Sequence, residues 1–178
     1  NNSGSVGVRY GQINDQYLKD VLQNMNTSAG QNMVNAAINA LDTEGATEIN
    51  LGMDMANRIL NANPVSAGEN RNRVVIVFTD GSPTASNGFE LNVANSAINQ
   101  ASAIKGRGAT VYSIGIFEGA NAGSAGSKPS GNLSNNSSRL PEANNWFMQN
   151  LSSNNGVVRY PSYYLSASDA HSLNSIFK

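Results

Sequence analysis

The sequence predicts an α/β domain built on a doubly wound, mostly parallel sheet with helices on both faces. Three observations predict it. Val74-Val75-Ile76-Val77-Phe78-Thr79 is a short unbroken apolar run rich in β-branched residues. Such a run suits a strand covered on both faces, as in a parallel sheet. Val93, Ala94, Ala97, Ile98, Ala101 and Ile104 then recur at helical spacing. Residues 110–117 form a second strand of the same buried kind. Strand, helix and strand with short joints make the βαβ unit of a parallel sheet.

The other elements follow in order. Residues 6–10 read as a strand, and residues 16–25 as a helix or an ordered insertion. Val34, Ala37, Ile38 and Leu41 mark one helix, and Leu51, Met55, Ile59 and Ala62 a second. Asp80-Gly81-Ser82-Pro83 is a loop signal after the first clear strand. The central helix stops around Lys105-Gly106-Arg107-Gly108, where basic residues and glycine suit a helix C-terminus. Residues 119–136 are Gly, Ser, Ala and Asn in the main, which reads as a long flexible surface loop. Pro141 fits the first turn of a helix carrying Trp146, Phe147 and Leu151. Tyr163-Tyr164-Leu165 reads as a last short strand, and Ser168 as the cap of a closing helix with Leu173, Ile176 and Phe177. No internal repeat occurs.

Composition bounds the function. A chain of 178 residues with 39% hydrophobic content supports one compact domain with a core, so residues 1–178 read as a single domain. A net charge of −1 leaves no basic surplus to neutralise phosphates, which argues against a nucleic-acid partner. No apolar run approaches the roughly 20 residues of a membrane helix, so no membrane insertion is expected in this segment. No signal-peptide pattern opens the chain. The absence of cysteine excludes disulfides, thiolate metal sites and cysteine nucleophiles. Few charges and many Asn, Ser and Gly residues give a neutral polar surface of the kind that suits an exported protein.

Two loops carry the chemistry. Asp80-Gly81-Ser82-Pro83 leaves a buried strand at its C-terminal end, and Gly45-Ala46-Thr47-Glu48 immediately precedes a helix. Ligands of open α/β sheets bind outside the carboxyl ends of the strands. A carboxylate and a hydroxyl on that rim are hard oxygen donors, suited to Mg²⁺, Mn²⁺ or Ca²⁺. Plainer roles compete. Asp80 suits an ordinary Asp-Gly turn, and Thr47 suits a helix N-cap. Glu44 and Glu48 read as solvated acids. His171, the only histidine, reads as a surface or packing residue. Trp146 and Phe147 read as core anchors, and Tyr160, Tyr163 and Tyr164 as strand packing.

These motifs, in this order, resemble the von Willebrand factor A-type domain, including integrin inserted domains. Residues 74–83 resemble its fourth strand and following loop. Gly45-Ala46-Thr47 with Leu51-Gly52-Met53 and Ala56 resembles its threonine loop and next helix. Residues 111–117 resemble the strand after that, and residues 163–177 the closing strand and helix. The resemblance covers residues 30–178. Between residues 74 and 117 it is nearest to surface proteins and pilus-tip adhesins of Gram-positive bacteria.

The resemblance implies a metal-ion-dependent adhesion site holding Mg²⁺, or Mn²⁺ or Ca²⁺. Thr47 would bind the ion directly, and Asp80 mainly through water. A protein partner, from host matrix or another surface protein, would supply an acidic group. It also implies an extracellular place on a bacterial cell surface, within a larger protein. The family's Asp-x-Ser-x-Ser loop is not present as such. The nearest match is Asn1-Asn2-Ser3-Gly4-Ser5, with asparagine where aspartate belongs. Either this is a degenerate metal loop carrying Ser3 and Ser5, or the first strand and helix lie upstream and those serines are coincidental.

Competing functions are a structural domain with a degenerate metal site and a doubly wound phosphohydrolase. A nucleophilic aspartate is required two residues before Asp80 in the latter, and Phe78 stands there. Neither a Gly-x-x-x-x-Gly-Lys-Ser/Thr loop nor a Gly-x-Ser-x-Gly elbow occurs. No enzyme activity is expected.

Overall fold

A computed structural model describes residue 18 and residues 21–40 and 46–167. Ser3, Ser5, Glu44, His171, the strand expected at residues 6–10 and the closing helix after Ser168 lie outside the described residues. Of the segment at residues 16–25, residues 16, 17, 19 and 20 also lie outside them.

The described elements are α1 (Ser28–Asn39), α2 (Ile49–Ala62), β1 (Val74–Thr79), α3 (Leu91–Gly106), β2 (Thr110–Ile116), α4 (Leu140–Leu151) and β3 (Tyr164–Ala167). The sheet order is β1-β2-β3 and both pairings are parallel. Val74 lies opposite Thr110, and Ser113 opposite Tyr164. Each crossover is a helix, as a parallel sheet requires. The consequence that matters for function is geometric. All three strands point the same way, so Thr79, Ile116 and Ala167 end on one rim.

The core lies between β1–β2 and the helices α2, α3 and α4. Ala94, Ala97 and Ala101 are fully buried on α3. With no side chain beyond Cβ, they let α2 and the sheet approach α3 closely. Met53, Phe89, Ile104, Val111, Phe147, Met148, Leu151 and Tyr164 fill the space around them. A polar strip ties α2 to α3: Asn57 Nδ2 donates to Gln100 Oε1 (2.7 Å), and Gln100 Nε2 donates to Asp54 Oδ1 (3.1 Å).

Helix ends are finished as their sequences suggest. At α1 the Thr27 hydroxyl accepts from the Gly30 N–H at 3.1 Å, an N-cap bond. Pro141 stands in the first turn of α4. Lys105, in the last turn of α3, donates to the Asn150 and Ser152 carbonyls (3.0 and 2.9 Å) where α4 ends. Arg73 donates to the Leu60 carbonyl in the last turn of α2. A cation at each of these places offsets the negative end of a helix dipole.

Two expectations change. Among the described residues, the β1 run is covered on one face only. Val75 and Val77 pack on the core, but Val74, Ile76 and Phe78 are 50%, 64% and 54% exposed. An unbroken apolar run has no period that marks which face is covered, and α2 and α3 cover only one. Beside β1 an open groove of about 290 Å³ is lined by Ile49, Gly52, Met53 and Ala56 of α2 and by residues 75–78. The tyrosines also divide: Tyr164 is buried and Tyr163 packs edge-on against Tyr112 at 5.2 Å, whereas Tyr160 is fully exposed.

Residues 119–136 contain no helix or strand beyond one isolated bridge, Phe89 to Leu133. Amides from α4 tie the first part down. Asn145 Nδ2 donates to the Gly119 and Pro141 carbonyls, and Gln149 Nε2 donates to the Ala122 and Ser124 carbonyls. Asn145 Oδ1 accepts from the Asn121 N–H and the Tyr164 hydroxyl.

Candidate metal-binding rim

Thr47 and Asp80 stand on the carboxyl rim, on adjacent loops. The backbone brings them there. The Thr47 carbonyl accepts from the Ile49 N–H (2.9 Å) and from the Thr84 N–H (3.1 Å), which staples the loop before α2 to the loop after β1. The Thr47 side chain then faces Gly81, the residue after Asp80. A Cβ at Gly81 would stand 3.1 Å from Thr47 Oγ1, so glycine leaves that hydroxyl its room.

Neither side chain has the plainer role open to it. The N-cap of α2 is Glu48, not Thr47, and no side chain bonds there. The turn after β1 is closed by Thr79, whose hydroxyl accepts from the Gly81 N–H (3.2 Å) and donates to the Gly81 carbonyl (3.1 Å). Asp80 is exposed beside it. The structure therefore sets Thr47 and Asp80 on adjacent loops, with neither side chain hydrogen-bonded to another described residue.

The donor chemistry fits a hard divalent cation. It does not by itself complete a shell. No group of three or more His, Cys, Asp or Glu positioned to hold a metal occurs among the described residues. Ser3 and Ser5, the remaining expected ligands, lie outside them.

Sequence reasoning missed Glu90. Its Oε1 accepts from the Thr84 and Ser86 hydroxyls (3.0 and 2.7 Å) and from the Ala85 and Ser86 N–H groups (3.2 and 2.8 Å). The Glu90 N–H donates to the Pro83 carbonyl at 2.8 Å. These bonds curl residues 83–90 around one carboxylate and set the loop that follows Asp80. They hold its carboxyl down at about 2, with Ser86 and Thr84 the main causes. The spacing Thr84, Ser86, Glu90 was the available signal, but hydroxyls near an acid are too common in this Ser-rich chain to single out. Glu118 adds an exposed carboxylate just past the end of β2 on the same rim.

Trp146 is half-buried against Phe89, with Lys128 over its ring at 5.5 Å, and Phe147 is buried, so both serve the core. No described helix is long and apolar enough to cross a membrane.

Compared with known families, residues 4–177 match the von Willebrand factor type A domain. Compared with curated proteins and with solved structures, the chain matches none. The match spans almost the whole chain and agrees with the parallel sheet, the helical crossovers and the rim, and the chain belongs to the von Willebrand factor type A domain family, whose members serve as protein-interaction modules.

Proposed function

We propose that this domain is an adhesion module that grips an acidic group of a protein partner through a divalent cation at the sheet rim, outside a bacterial cell. The observation that carries the reading is the juxtaposition of Thr47 and Asp80 on adjacent loops, both released from capping duty by Glu48 and Thr79. Mg²⁺ or Mn²⁺ suits these donors. Thr47 would contact the ion, Asp80 would hold it through water, and Ser3 and Ser5 are the candidates for the remaining protein ligands. No step of catalysis is assigned to the site. Phe78 stands where a phosphohydrolase would need its nucleophile, on the exposed side of β1, away from the core-facing Thr79.

The test is thermal unfolding with and without Mg²⁺ or Mn²⁺. Ligand at about 100 times its Kd adds about 2.7 kcal/mol to the folded state. For a domain of this size that raises Tm by roughly 5 to 10 °C. Asp80→Ala should remove the gain while leaving the metal-free Tm within about 1 °C, since its side chain is exposed. A Tm indifferent to both cations would defeat the proposal and favour a structural domain with a degenerate site. Hydrolysis of a phosphate ester that disappears in Asp80→Ala would defeat it in favour of an enzyme.

A further inference from the structure

The sequence holds two Asn-Gly dipeptides, Asn87-Gly88 and Asn155-Gly156. In such a pair the glycine nitrogen meets little steric resistance in reaching the preceding side-chain amide carbon. The structure treats the two pairs oppositely. The Gly156 N–H donates to the Gln149 carbonyl at 2.9 Å, so that nitrogen is engaged at the end of α4. Gly156 also lies close against the Asn150 side chain, where a Cβ would stand 2.7 Å from Oδ1. At the other pair, no described residue accepts the Gly88 N–H, although its neighbours Phe89 and Glu90 both donate, to Leu133 and Pro83. Asn87 is exposed, on the loop that follows Asp80; its Oδ1 accepts from the Nδ2 of Asn135, itself an exposed side chain, and this bond engages the amide oxygen rather than the Gly88 nitrogen.

We infer that Asn87 is a site of spontaneous deamidation and that Asn155 is protected by its fold. The Gly88 nitrogen attacks Cγ of Asn87 and closes a five-membered succinimide. The side-chain amide leaves as ammonia, taking up the proton that the Gly88 nitrogen gives up. Solvent water then opens the ring at either carbonyl, leaving aspartate or isoaspartate at position 87. No oxidant or reductant enters.

The consequences fall on the rim loop. The Asn87 backbone N–H faces the Glu90 carboxylate. A new carboxylate at position 87 therefore stands beside an existing one, and like charges repel. The isoaspartate product also lengthens the main chain just before Gly88. Gly88 has φ of 72° and fits so tightly that a Cβ there would lie 2.0 Å from the Leu133 carbonyl oxygen. The extra methylene disturbs the Phe89–Leu133 bridge, which joins the loop after Asp80 to residues 119–136.

The experiment is to age the folded domain in mildly alkaline buffer and map it with trypsin. Arg73 and Lys105 bracket Asn87, and Arg139 and Arg159 bracket Asn155, so the two sites fall in different peptides. Aspartate and isoaspartate should accumulate at Asn87 at least about tenfold faster than at Asn155, the ratio set by a local opening cost of about 1.4 kcal/mol at Gly156. In urea the ratio should fall towards unity. Asn87→Gln should abolish the change in its peptide. Equal rates in the folded protein, or fragmentation that assigns the product to Asn92, Asn95 or Asn99, would overturn the inference.

Discussion

Thr47 and Asp80 are the residues on which the proposed site rests, and their neighbours have taken over the local work. Glu48 caps α2 by position and Thr79 closes the β1 turn, which leaves a hydroxyl and a carboxylate on the rim. Glu90 shows the opposite case, a carboxylate committed to structure. Its folded value of about 2 against an ordinary 4.5 means its bonds stabilise the protein fully above pH 4.5 and are lost as pH falls towards 2. Glu90→Gln should therefore lower Tm at neutral pH. The difference from the parent should shrink as the pH of the melt is stepped down through that window. Gly88 is similarly committed. Gly88→Ala puts a Cβ into the Leu133 carbonyl at positive φ and should cost about 2 kcal/mol or more by urea unfolding.

At the scale of elements, α4 is fixed by amides as much as by apolar packing. Fully buried Asn154 is the knot between α4 and β3. Its Nδ2 donates to Gln149 Oε1 (2.6 Å) and Ser162 Oγ (2.9 Å), and its Oδ1 accepts from the Tyr163 N–H (2.8 Å). Asn154→Ala strands these partners and should cost about 3 kcal/mol, because each buried group left unsatisfied costs about 1–3 kcal/mol. Phe147 is the apolar counterpart, edge-on to Phe89 at 6.4 Å. Phe147→Ala should cost about 3–5 kcal/mol in the same assay. A loss under 1 kcal/mol for either would mean that the end of α4 is held elsewhere.

For the molecule as described, the βαβ order places the carboxyl ends of β1, β2 and β3 on one rim and the C-termini of α2, α3 and α4 at the other end. Lys105 works there, and burial pushes its ammonium down to about 8 from 10.5. The folded state thus gives up this proton before the unfolded chain does. Its contribution to unfolding free energy rises with pH from about 8 to about 10.5. Lys105→Met should flatten that rise in urea titrations at successive pH values. An unchanged slope would mean that the ammonium is better solvated than its half-buried position implies.

The sequence alone determined the α/β class, the parallel βαβ unit, the helices near residues 91–106 and 140–151, and the pairing of Thr47 with Asp80 as candidates. Those readings rest on local period and on motif order, which neighbouring residues write directly. Only tertiary structure decided that Val74, Ile76 and Phe78 face outward, that Tyr160 is free while Tyr164 is buried, and that Glu90 gathers the loop after Asp80. It also decided that of two identical Asn-Gly pairs one nitrogen is bonded and the other meets no acceptor among the described residues. Each of these depends on what lies across the sheet or on a distant turn, and no local pattern encodes which partner arrives there.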